Sequence, residues 1–200
     1  MKIIGLCGGS GSGKGTLADM LSAAGFLHVD ADAVYHEITS NDTPCLRAMA
    51  EAFGENIISP SGSLDRRALS AIVFAEGGKE KLLLLNSITH RYVLEEIRHR
   101  ISMAEGDYIG AVVDAPLLFE SGFDAECGFI VAVLAPYEVR LARIMARDGL
   151  PEERARARLN ASHSDDFFRE KSHAVLVNDG RIPPPEAEVD RLLNEWGVRP

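Results

Sequence analysis

Residues 8–14 read Gly8-Gly9-Ser10-Gly11-Ser12-Gly13-Lys14, the spacing G-x-x-x-x-G-K, which suits the grip of a polyphosphate. Glycines let backbone N–H groups converge on one concave anion site, and a helix starting at the end of the loop adds partial positive charge. Lys14 then supplies a point charge for the β- and γ-phosphates of ATP. The alternative is a flexible Gly/Ser turn with a solvated lysine. That reading leaves unexplained the strand-like run before the loop and the helical pattern after it. The next position ordinarily carries a Ser or Thr whose hydroxyl binds Mg²⁺. Here it is Gly15, with Thr16 one place later. Gly9, Ser10, Gly11, Ser12, Gly13, Lys14, Gly15 and Thr16 are thus the predicted nucleotide-binding stretch, with Thr16 a candidate metal ligand.

Three carboxylates sit where a sheet would present them. Asp30 and Asp32 follow the run Phe26-Leu27-His28-Val29, and Asp114 ends Tyr108-Ile109-Gly110-Ala111-Val112-Val113. Ligands of parallel sheets bind at the carboxyl ends of the strands, so all three point to the edge that carries the phosphate loop. An apolar strand ending in Asp fits the Walker-B pattern, which makes Asp114 a candidate for Mg²⁺ or its water. Asp30 and Asp32 share a side only while the chain stays extended, so only one need face a substrate. Either also suits the N-cap of the helix that follows. Among the six histidines none shows metal-ligand spacing, and His36 and His90 stay open as site residues.

Cations cluster in one segment. Arg140, Arg143 and Arg147 recur at helical spacing, and Arg154, Arg156 and Arg158 follow the Asp148-Gly149 turn and Pro151. A basic helix–turn–helix beside a phosphate loop reads as a lid, which excludes water and adds charge during phosphoryl transfer. A solvated face is the competing reading, because Glu138, Glu152 and Glu153 can pair with several of them. Two or three of the six are expected on phosphate.

The elements that must position these groups follow from periodicity. Strands are predicted at 2–7, 26–29, 108–114, 129–134 and 174–177. A helix follows the loop, with a stop at Gly25. From residue 40 to 106 the pattern is helical: 46–53, 64–74, and 80–104 with a bend near Asn86-Ser87. Residues 178–180 form a turn, Pro183-Pro184-Pro185 a stiff connector, and 186–196 an amphipathic helix with Val189, Leu192, Leu193 and Trp196 on its core face. Phe119 and the leucines before it read as packing.

Composition excludes other classes. With 200 residues and 46% hydrophobic content, one domain with insertions can bury a sizeable core. A net charge of −9 argues against nucleic-acid binding. Cys7, Cys45 and Cys127 are odd in number and widely spaced, so free thiols in a reducing, cytoplasmic setting are expected. No apolar run is long enough for a bilayer, and no signal peptide is visible.

Several stretches together resemble the dephospho-CoA kinase family: the phosphate loop, Asp30-Ala31-Asp32, Leu64-Asp65-Arg66-Arg67-Ala68-Leu69, Leu85-Asn86-Ser87-Ile88-Thr89-His90, Asp114-Ala115-Pro116-Leu117-Leu118-Phe119-Glu120, Arg147-Asp148-Gly149 and Val177-Asn178-Asp179-Gly180. The resemblance spans nearly the whole chain in order. It implies an α/β fold of the P-loop NTPase type, three layers around a five-stranded parallel sheet. The core would comprise 1–32, 107–137 and 171–200, with a helical substrate domain at 33–106 and a lid at 138–170. It implies ATP, Mg²⁺ and transfer of the γ-phosphate to the ribose 3′-hydroxyl of dephospho-CoA, giving CoA and ADP. It also implies Asp32 as the base that orients that hydroxyl, Arg143 and Arg147 on the phosphates, and Asp32, His36, His90, Asp114 and Leu117 toward the acceptor. A monomer or weak homo-oligomer without membrane partners is expected. The departures are Gly15 for Ser or Thr, Arg91 after His90 where the family usually has Pro, and Ser162 where Gln is common. Lys14-Gly15-Thr16 instead looks like adenylate kinases, so a nucleoside monophosphate kinase is the nearest rival.

Overall fold

The computed structural model describes residues 1–75, 77–179 and 186–197. Gly180 of the turn and the Pro183–185 connector lie outside the described residues. The chain divides into two compact units, Met1–Asp30 with Ile101–Pro200, and Ala31–Arg100.

In the first unit, β1 (Ile3–Cys7), β2 (Phe26–Asp30), β3 (Gly110–Asp114), β4 (Phe129–Leu134) and β5 (Ala174–Val177) form a parallel sheet in the order β2-β3-β1-β4-β5. They are short, apolar and mostly buried, as strands covered on both faces must be. The order puts β1 in the middle. β2 and β3 lie to one side of it and β4 and β5 to the other, so the crevice at the end of β1 is the topological switch point where α/β sheets take ligands. The register sets Asp30 opposite Asp114 at the ends of β2 and β3. Directly opposed residues share a face, on strands about 4.8 Å apart.

The helices α1 (Lys14–Ala23) and α9 (Glu186–Glu195) cover one face of the sheet. Leu17, Leu21, Val189, Leu192 and Leu193 pack there on Ile4, Leu6, Phe26, Val112, Val131, Val133 and Leu176. α6 (Tyr137–Asp148) and α7 (Glu152–Asn160) bury Leu141, Ile144, Ala155 and Leu159 against each other. Gly149 turns the chain between them with φ 62°. α8 (Asp165–Lys171), capped by the Ser164 hydroxyl, buries Phe168.

The second unit holds α2 (Ala31–Ile38), α3 (Pro44–Phe53), α4 (Arg66–Val73) and most of α5 (Lys79–Met103). Its core is Cys45, Leu46, Met49, Ile57, Leu64, Leu69 and Val73. Thr43 caps α3, accepting from Leu46 N, with Pro44 at the first helical position. Asp65 caps α4, accepting from Arg67 N and Ala68 N. That cap moves the start of α4 to Arg66, two residues later than the apolar pattern suggests. α2 starts at Ala31, directly after β2, so Asp32 lies inside its first turn and Asp30 immediately before it. α5 is one continuous helix with no break assigned at Asn86-Ser87. Ile58 and Leu64 form an antiparallel bridge in a block where the sequence suggested no strand pairing.

All three cysteines are free thiols, and Cys7 and Cys45 are buried. Desolvation pushes the Cys45 thiol up to about 11 and the Cys127 thiol up to about 12. The folded chain therefore keeps protons that the unfolded chain releases near pH 9. The stability these groups contribute is complete below that pH and drains away as pH climbs toward 11–12. Denaturant titrations across pH 8 to about 11 should show this decline, shallower in a Cys45→Ala/Cys127→Ala variant. An equally steep decline in that variant would assign it to other groups.

Candidate phosphate and metal site

The loop from β1 to α1 has the conformation its glycines predict. Gly8, Gly11 and Gly13 have φ of 134°, 77° and 103°, backbone that side-chain-bearing residues rarely adopt. A Cβ on Gly8 would stand 2.1 Å from Val133 O, and one on Gly13 2.3 Å from Asn178 Nδ2. Gly8→Ala should destabilise the fold by about 1–3 kcal/mol through backbone conformation alone, with the Val133 clash added. Its thermal midpoint should fall accordingly, and an unchanged midpoint would mean that the loop has slack there.

The N-terminus of α1 is kept open. Its N-cap, Gly13, has no side chain to accept from the first-turn N–H groups, and no acidic residue sits in that turn. The unpaired amides and the helix dipole are left for an external anion. Lys14 leans over the loop: Nζ donates to Gly8 O at 3.1 Å and lies 4.0 Å from Asp114 Oδ1. The Ser12 hydroxyl is buried in the loop and has no hydrogen-bond partner among the described residues. Such an orphan donor suits a ligand oxygen.

Behind the loop stand Arg140, Arg143 and Asn178. Arg143 Nη1 donates to Gly11 O at 3.1 Å and Ser12 O at 3.3 Å, and Nη2 to Asn178 Oδ1 at 3.0 Å. Asn178 Nδ2 donates to Ser12 O at 3.1 Å. Asn178 is 2% exposed, just past the end of β5. The signal available was its place, a polar residue just past the carboxyl end of a strand. Arg140 Nε donates to Ser10 O at 3.1 Å, and Nη1 to Asp165 Oδ1 at 3.3 Å. Arg147 makes two bonds to the Asp148 carboxylate, at 2.7 and 2.9 Å, and Arg158 a third at 2.8 Å. The Arg147 guanidinium holds the Asp148 carboxyl below the usual range. Arg156 pairs with Glu152, as the solvated-face reading anticipated. Of the three arginines on α6, two thus meet the loop backbone and one the neighbouring turn.

The metal question rests on the donors near Lys14. Asp30 and Asp114 are adjacent in register, and Thr16 lies in the first turn of α1. Among the described residues nothing lies within 4 Å of where a Cβ on Gly15 would stand, so none of them fills the place of the missing hydroxyl. Among the described residues no cluster of three or more His, Cys, Asp or Glu could cage a cation. One or two carboxylates without a cage fit Mg²⁺, which keeps its waters and rides on substrate phosphates.

In the second unit, Asp32 and His36 lie on α2 four residues apart, on one helical face. His36 Nδ1 meets Arg66 Nη2 at 2.5 Å, so its other nitrogen carries the proton when the ring is neutral. Arg66 was absent from the predicted site, and its place at the start of α4 beside a candidate histidine is what the sequence did not reveal. His90 lies on α5 next to the buried Thr89. In the first unit, Leu117 is 46% exposed beyond β3, unlike the buried Leu118. No helix among the described residues is long and apolar enough to cross a membrane.

Comparison with known proteins is consistent in kind. The family model for dephospho-CoA kinase matches residues 2–184. The dephospho-CoA kinase of Corynebacterium efficiens is 40% identical over 193 residues, 96% of each chain. That of Bacillus licheniformis is 37% identical over 97% of this chain and 96% of its own. Among solved structures, the dephospho-CoA kinase of Campylobacter jejuni superposes with a TM-score of 0.67 at 25% identity, covering 98% of this chain and 97% of that one. A shikimate kinase from Acinetobacter baumannii, with a TM-score of 0.53 at 17% identity over 98% of this chain and 94% of its own, shares the fold alone.

Proposed function

This chain belongs to the dephospho-CoA kinase family, and from that premise we propose how its residues divide the transfer of the ATP γ-phosphate to the ribose 3′-hydroxyl of dephospho-CoA. The observation that carries the reading is the loop: three left-handed glycines, an uncapped helix start and Lys14 surround an orphan hydroxyl. That arrangement suits a triphosphate tail. The loop from Gly9 to Gly13, with Gly15 and Thr16 beyond it, would hold ATP, and Lys14 would bridge its outer phosphates.

Asp32 is the proposed acceptor of the hydroxyl proton. It lies two residues past the strand end at Asp30, and α2 presents it on the same face as His36. A carboxylate is a weak base toward an alcohol, so its first task is to orient the hydroxyl, with the proton moving late. His36, His90 and Leu117 are proposed on the acceptor side. Arg143 is proposed to act on the phosphates through the loop it braces. Arg147 would reach phosphate only by exchanging its Asp148 partner. Asp114 and Thr16 would hold Mg²⁺ or its waters, and the bound ion would neutralise charge on the transferring phosphoryl group. The proposed division is a core of 1–32, 107–137 and 171–200, a substrate domain of 33–106 and a lid of 138–170.

The test is incubation with ATP, Mg²⁺ and dephospho-CoA, with CoA followed by mass, alongside AMP and CMP as acceptors. CoA formation far faster than either nucleoside diphosphate is the expected result. Preferential phosphorylation of AMP or CMP would overturn the assignment in favour of the monophosphate-kinase reading.

A further inference from the structure

We propose that Arg140, clamped by Asp165, is a positioning residue: its guanidinium pulls the Ser10 carbonyl back and so aims the loop's N–H groups at phosphate. The proposal rests on the loop being a triphosphate cradle. In a planar trans peptide the C=O and N–H point opposite ways. Arg140 Nε takes the Ser10 carbonyl at 3.1 Å, so the Gly11 N–H of the same peptide faces away from Arg140. Arg143 and Asn178 take the Ser12 carbonyl at 3.3 and 3.1 Å, which does the same for the Gly13 N–H. The Ser12 N–H is already committed to Gly9 O at 3.2 Å. Arg143 Nη1 also takes the Gly11 carbonyl at 3.1 Å, so three consecutive peptide planes are held from behind before any ligand arrives, two of them with the N–H turned toward the cradle. Converging N–H dipoles repel one another, and such a loop relaxes unless its carbonyls are fixed. Fixing them in advance is the preorganisation that electrostatic stabilisation needs.

The surroundings of Arg140 fit this task better than a plain ion pair. The side chain is 8% exposed, although among the described residues a single carboxylate, Asp165, pairs with it. Asp165 opens α8, a short helix anchored by buried Phe168, so the clamp is fixed at its far end. The guanidinium lies against Gly9, where a Cβ would stand 2.0 Å from Nη2 and 2.6 Å from Cζ. Gly9 has no positive φ, so what its missing side chain leaves room for is Arg140. Only a planar fork serves Ser10 O through Nε and Asp165 through Nη1 at once.

The experiment measures inorganic tripolyphosphate binding by calorimetry, steady-state constants for ATP and dephospho-CoA, and thermal midpoints. Arg140→Met should weaken tripolyphosphate binding and raise the KM for ATP, each by about 10- to 100-fold, with the KM for dephospho-CoA unmoved. Arg140→Lys should recover thermal stability but not tripolyphosphate affinity. Gly9→Ala, which displaces the guanidinium without removing it, should mimic Arg140→Met and add little in its background, a test that survives if Arg140→Met fails to fold. Wild-type tripolyphosphate affinity in folded Arg140→Met, full recovery by Arg140→Lys, or additive effects of the two substitutions would each overturn the proposal. A wild-type enzyme that binds tripolyphosphate but makes no CoA would instead overturn the functional assignment and leave this one standing.

Discussion

Asp32→Asn is expected to lower kcat by about 10²- to 10⁴-fold, the range for losing a positioned proton acceptor, while the Kd for ATP stays within a fewfold of wild type. Asparagine keeps the shape and one acceptor oxygen, so the acceptor's KM should change little. What disappears is the negative charge that orients the hydroxyl and receives its proton as the bond to phosphorus forms. Because phosphoryl transfer passes through a loose transition state, that orientation is most of what the residue can contribute. Single-turnover rates at saturating ATP and dephospho-CoA measure it directly, with ATP affinity determined by calorimetry. An interaction made only in the transition state lowers kcat and kcat/KM together. If ATP affinity collapses and saturated turnover is unchanged, the role is wrong. Asp30→Asn is the necessary companion. Asp30 ends β2 opposite Asp114, and if its removal causes the larger loss of kcat, the two carboxylates exchange roles.

How much of this was legible beforehand differs by level. The strands read plainly because buried parallel strands are continuous apolar runs: 129–134 was placed to the residue, and so was 174–177. The phosphate loop read plainly because its glycines answer a backbone demand, seen as positive φ at Gly8, Gly11 and Gly13. Helix starts were less clear, since caps rather than apolar periodicity fix them. Thr43 and Asp65 set the true boundaries of α3 and α4. The arginines were least legible. Arg140, Arg143 and Arg147 share one spacing, and spacing says that they share a helix face but not what that face meets. Arg140 meets the loop and Asp165, Arg143 the loop and Asn178, and Arg147 the turn at Asp148. The loop contacts of Arg140 and Arg143 depend on packing between segments 130 and 132 residues apart. Asn178 is a similar case: the expectation of a turn at 178–180 is local, whereas its side chain meets Ser12 and Arg143, 166 and 35 residues away.

Lys14→Ala should remove activity and ATP binding together, which separates it from Asp32→Asn. The ammonium sits 3.1 Å from Gly8 O and 4.0 Å from Asp114, with 12% of its side chain exposed. It is therefore held near the loop before ATP arrives and needs little reordering to meet the outer phosphates. It attracts those phosphates in the ground state and more strongly as charge shifts in the transition state. The expected loss in kcat is about 10²- to 10³-fold, typical of one electrostatic donor aimed at developing charge, together with a weakened Kd for ATP. Some stability should go with it. The pair is long, at 4.0 Å, and its side chains are 12% and 16% exposed, which places it between a surface pair worth about 1 kcal/mol or less and a buried pair whose broken half costs about 3–5 kcal/mol, so the thermal midpoint should drop by about 2–12 °C for a chain of this size. The comparison is the point of the measurement: a large functional loss in a variant that still folds assigns Lys14 to the ligand. A large drop in midpoint with ordinary affinity in the folded fraction would assign it to the architecture of the loop. Normal activity in the folded variant would remove the loop from the mechanism altogether.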